Sequence, residues 1–109
     1  MITITIYTDQ TGAYTGFDTI GHAEYAQAGE DIVCAGASAL VMNAINSIEA
    51  FTEDRFELNT REETGFISFR FPTAASHDAG LLMNSLVFGL QGIQDFYGNE
   101  YISLIFKEV

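Results

Sequence analysis

Cations are scarce in this sequence: four Lys and Arg stand against fifteen Asp and Glu over 109 residues, a formal charge of −11. Without clustered Lys and Arg a chain cannot neutralise phosphates and release their counterions, which argues against any nucleic-acid partner. The same deficit disfavours an anionic membrane surface. A basic partner suits the charge, although an acidic surface also serves solubility alone. Cysteine occurs once, at Cys34, so no internal disulfide can form. The start, Met1-Ile2-Thr3-Ile4, lacks the basic and apolar regions of a leader peptide, and a lone thiol fits a reducing, cytoplasmic compartment. Two histidines, His22 and His77, with no HxxxH or CxxC spacing, leave no expected metal site or cofactor. No stretch approaches eighteen apolar residues without polar interruption, so no membrane span is expected.

Proline is equally rare, with Pro72 alone, and there is no repeat or Ser/Pro-rich linker, so residues 1–109 read as a single domain. What is present is apolar patterning, with 48% hydrophobic residues. Ile2, Ile4 and Ile6 alternate with Thr3, Thr5 and Tyr7, the signature of a half-buried strand. Asp9-Gln10-Thr11-Gly12 turns the chain into a second strand over about 13–22, closing a hairpin. Residues 23–30 follow no period and read as a loop. From Asp31 to about Thr52 the period becomes helical, with Val33, Ala37, Leu40, Ala44, Ile48 and Phe51 in one stripe that Cys34, Val41 and Ile45 widen. Asp31 suits the N-cap.

Residues 55–60 and 65–71 predict a second hairpin around a Glu-rich turn, solvated at Glu62 and Glu63. Ser76 opens a helix of about 76–97 that Gly98 closes, and 100–107 alternates as a final strand. Gly80, Gly89 and Gly92 weaken that helix unless close packing compensates. The order ββαββαβ predicts an α+β two-layer domain, a largely antiparallel sheet with two helices on one face.

Chemistry concentrates at Cys34. As third residue of a helix capped by Asp31 it would lie in the first turn, where open amides and the macrodipole favour thiolate. The Asp31 carboxylate opposes this unless it is engaged as a cap or by a cation. His22, twelve residues earlier at a strand end, is the candidate base, since Cys with a nearby His is the minimum set for thiol nucleophilic catalysis. Helix amides near Ala35 would serve an oxyanion. The plainer readings are a small core cysteine, a capping or surface histidine, a backbone-bonded Ser38 and a solvated His77.

Gly21-His22-Ala23, then Gly29, Asp31-Ile32-Val33-Cys34-Ala35 and Ser38-Ala39-Leu40, closely resemble the ribosomal-processing cysteine proteases of the Prp family. The pattern GHA-x5-G-x-DIVCA-x2-SAL is long and fixed in spacing, and length and element order extend the likeness over nearly the whole chain. Gly36 and Ala37 stand where that family more often has Ala and Val, a packing change. The resemblance implies a bacterial endopeptidase that removes a short N-terminal extension, ending in paired Phe residues, from a large-subunit ribosomal protein precursor. It implies Cys34 as nucleophile and His22 as general acid/base, with Gly21, Ala23, Asp31 and Ser38 at recurrent positions as supporting groups. It also implies a homodimer and a mobile loop over Ala23–Asp31. The rival reading is a non-enzymatic acidic dimeric binding module for a basic ribosomal protein, and a redox-sensing thiol would need a partner cysteine from a second chain.

Overall fold

Alternation and helical period resolve into seven elements, which the computed structural model describes over residues 1–21 and 30–109, with only the backbone of Glu30 and Asp31. Two strands, β1 (Ile2–Thr8) and β2 (Tyr14–Ile20), precede α1 (Glu30–Phe51). Then come β3 (Glu57–Arg61), a 3-10 turn at Glu62–Thr64 and β4 (Phe66–Arg70). Helix α2 (His77–Tyr97) and β5 (Ile102–Glu108) complete the expected α+β order. The loop expected over 23–30 lies outside the described residues, except that Glu30 is already helical.

The strands form one five-stranded sheet in the order β3-β4-β2-β1-β5. Three pairings are antiparallel, and β1 with β5 is parallel, Ile2 opposite Ile102. The β1–β2 turn is built by Asp9, whose carboxylate accepts from the Thr11 N–H at 2.8 Å and the Ala13 N–H at 3.1 Å. Register then aligns the inward positions: Ile6 faces Phe17, and Phe17 faces Phe69. Ile4, Ile6, Phe17 and Phe69 are wholly buried. The Phe69 ring stacks on Phe17 at 5.1 Å and Phe56 at 4.9 Å and meets Phe71 edge-on at 5.0 Å.

Both helices cover this face. Val33, Ala37, Val41, Ala44, Ile45 and Ile48 of α1 enter one core with Ala79, Met83, Leu86, Val87 and Leu90 of α2. Leu40 turns toward α2, where a Cβ on Gly89 would lie 2.9 Å from its Cδ1, so Gly89 permits the close helix approach. Gly80 and Gly92 have no such neighbour, so packing does not explain them. Gly36 has Ile93 at 3.4 Å from a Cβ position, ordinary contact that leaves room for a methyl. Phe51 departs from the expected stripe and is 77% exposed. There the Thr52 N–H and hydroxyl both bond the Ile48 carbonyl, at 3.2 and 2.7 Å, and end the helix before another inward turn. Ser76 caps α2 as expected, its hydroxyl accepting from the Ala79 N–H at 3.1 Å. Gly98 closes the helix at φ 93°, its N–H on the Gln94 carbonyl.

By length and composition α1 does contain a stretch, Ile32–Phe51, apolar enough to cross a membrane, with mean hydropathy 1.4. Five polar residues, Ser38, Asn43, Asn46, Ser47 and Glu49, interrupt this stretch. A core helix passes the same test, and here the apolar stripe is spent on the sheet and on α2.

The opposite sheet face carries polar side chains. Arg70 bonds both Asp18 oxygens, at 2.9 and 3.2 Å, and lies 4.3 Å over the Tyr7 ring, whose hydroxyl donates to Asp18 at 2.8 Å. Partial burial pushes the Asp18 carboxyl up, but hydrogen bonds from Arg70, Tyr7 and Ser68 outweigh it and hold it below the usual range. A depressed folded-state pKa contributes stability above the unfolded value of about 3.9 and loses it as pH falls through the lower folded value. Urea midpoints measured from pH 6 downward are therefore expected to fall below about pH 4, and less steeply in Asp18→Asn.

Candidate functional site

The site forms at one end of the sheet, where β1 begins, β2 and β3 end, β4 begins and α1 starts. A pocket of about 330 Å³ lies between the first half of α1, at Ser38 and Val41, and this end of the sheet. Ile2, Thr19, Gly21, Thr60, Arg61, Glu62, Gly65, Phe66 and Ile67 complete its wall. Volume and mainly apolar lining suit a ligand side chain.

Cys34 is half-buried, one helical turn before Ser38 and on the same face of α1. Helix α1 begins at Glu30, two residues before the Ile32 start that an Asp31 cap implies, so Asp31 falls inside its first turn instead of at the N-cap, and Cys34 is its fifth residue. The open amides of a helix belong to its first four positions, so the N–H groups of Cys34 and Ala35 enter the i→i−4 ladder. The expected oxyanion donors near Ala35 are thereby corrected: a donor from α1 would have to come from nearer Glu30. Ser38 is exposed at the pocket and makes no side-chain hydrogen bond among the described residues.

Gly21 ends β2 in a way only glycine permits. Its φ is 100°, and a Cβ would lie 2.4 Å from the Met1 carbonyl oxygen. Its N–H donates to the Thr64 carbonyl at 3.0 Å, which ties the 3-10 turn to the residue before His22. The Glu-rich turn, expected to be merely solvated, thus borders the site. No sequence signal marked it except Gly65, left-handed at φ 64°. The structure therefore brings Gly21 and Ser38 to one pocket, with Cys34 a turn away. His22 and Ala23 lie outside the described residues, as does the Asp31 side chain. His77 stands apart and 92% exposed, 3.2 Å from Asp78. Among the described residues no group of three or more His, Cys, Asp or Glu could hold a metal.

The chain as a whole is matched by known proteins. The sequence profile of the family described as Cysteine protease Prp matches residues 1–103. The Ribosomal processing cysteine protease Prp of Staphylococcus aureus is 35% identical over 107 residues, covering 98% of this chain and 100% of that protein. A crystal structure of Prp from S. aureus with a substrate peptide superposes at TM-score 0.91 with 34% identity, over 98% of this chain and 100% of the other. A second, with a covalently linked product peptide, gives 0.88 over the same shares, again at 34% identity. The fold is thus that of a cysteine protease. The chain belongs to the Prp family.

Proposed function

We propose that the chain is an endopeptidase that removes a short aromatic-ended N-terminal extension from a basic large-subunit ribosomal protein precursor, with Cys34 as nucleophile and His22 as general acid/base. The observation that carries this reading is one apolar pocket lined by Gly21, the residue before His22, and by Ser38, one helical turn after Cys34. In the reaction His22 takes the thiol proton, and Cys34 Sγ forms a bond to the scissile carbonyl carbon. The tetrahedral intermediate collapses, the amine leaves with the proton from His22, and a thioester remains. Water, deprotonated by His22, then hydrolyses the thioester and regenerates the thiol. The covalently linked product peptide in the S. aureus relative supports such an intermediate. Ile2, Val41, Phe66 and Ile67 suit an aromatic substrate side chain, and Asp31 and Ser38 act as supporting groups.

The enzyme works in the cytosol with neither nucleic acid nor membrane as partner, and as a homodimer. Phe66 and Tyr101 are half-buried. The apolar surface left for self-association is on α2 and β5, where Leu81 and Phe88 stand 59% and 78% exposed near Phe106. Those residues and their neighbours in this patch carry no charge, which matters for two copies of a −11 chain.

The test is cleavage of the precursor, read by the mass of the product, against the same protein with its aromatic extension residues replaced by Ser. Cleavage of the first alone is expected; binding of both without cleavage would return the rival reading of an acidic binding module. The charge adds an expectation: raising salt from about 0.05 to 0.5 M shrinks the Debye length and slows cleavage of the basic precursor, but hardly that of an uncharged peptide.

A further inference from the structure

We infer that the free edge of β3 binds the substrate as an added β-strand, pairing main chain to main chain with the residues that flank its cleavage site. This deepens the protease reading above and rests on it. Among the described residues β3 pairs only with β4, and all five of its side chains, Glu57–Arg61, are exposed. In such a strand alternate residues turn their N–H and C=O groups outward, a template for an extended chain. Five residues at about 3.3 Å each give an edge of roughly 17 Å, enough for a short peptide segment.

The edge is continuous with the site. Thr60 and Arg61 belong to β3 and also line the pocket shared with Ser38, one turn from Cys34. The turn that follows β3 is bonded to Gly21, beside His22. A chain paired along β3 therefore passes the pocket mouth, where side chains of alternate sign of projection enter or leave it. The flank is acidic: Glu57, Glu62 and Glu63 against Arg61 alone, which favours a basic peptide over an acidic one.

Two measurements test this. A cleavable basic peptide is methylated singly at each backbone nitrogen, and KM is measured for each member of the series. Strand pairing predicts a period of two, with alternate positions raising KM about tenfold and those between them tolerated. In parallel, amide exchange across Glu57–Arg61 is followed in Cys34→Ala with and without the unmethylated peptide. Slowing confined to alternate amides of β3 is expected.

Cleavage that tolerates methylation everywhere, or loses it without alternation, overturns the inference and leaves the protease reading standing. Alternation without protection of β3 overturns it too, since another edge then holds the substrate. Protection of β3 already present without peptide and rising with protein concentration would assign the edge to a second copy instead. Failure of wild-type protein to cleave the unmethylated peptide defeats both readings.

Discussion

Cys34→Ala is expected to lower kcat for the precursor by on the order of 10⁴-fold or more, because removal of a covalent nucleophile leaves only binding and electrostatic stabilisation. The side chain is half-buried and is replaced by a smaller apolar group, so the fold should persist. The melting temperature and an undiminished affinity for the peptide check this. His22→Ala is expected to lose about 10²- to 10⁴-fold and to remove the inflection near neutral pH from the rate profile, as a general acid/base does. Unaltered cleavage in Cys34→Ala would overturn the assignment of the nucleophile. Equal affinity of wild type and both variants, with no cleavage by any, would point to the binding module.

Phe69→Ala is expected to cost roughly 3–5 kcal/mol, the range for emptying a buried aromatic site. Phe69 is 0% exposed and is the one ring that touches Phe17, Phe56 and Phe71 together. Its removal leaves a void among the rings of Phe17, Phe56 and Phe71. A domain of this size has about 5–15 kcal/mol in all, so the loss is a large fraction. Thermal unfolding should fall by roughly 15–25 °C. A shift below about 5 °C would mean that the rings repack around the gap. Because Phe69 lies on β4 directly opposite Leu58 of β3, activity should drop with stability.

The fold was legible wherever one face of an element was buried. Ile2, Ile4 and Ile6 announced β1 because period two and burial coincide, and Ser76 announced α2 because its hydroxyl has one local use. Phe51 misled because periodicity continues past the point where Thr52 turns the chain. The parallel pairing of β1 with β5 had no local signature, since both strands alternate identically whichever neighbour they meet. At the site, Gly21, Cys34 and Ser38 stood out by type and spacing. Arg61, Glu62 and Phe66 did not, because they come to the pocket through the β3–β4 register, and that is a long-range property. The N-cap placement of Asp31 missed by two residues, which moved Cys34 beyond the open amides.

The pairing of β1 with β5 also ties residues 2–8 to residues 102–108. Ile2 lies opposite Ile102, Thr8 opposite Glu108, and the Val109 N–H reaches the Thr8 carbonyl. These contacts span almost the whole chain, the sort of high contact order that slows folding. Ile2 is also a wall of the pocket, and Met1 is the backbone against which Gly21 is fitted. The first strand has β2 beside it from early in the chain and gains its second neighbour only once the fifth has been made, so that side of the sheet is the last that can close.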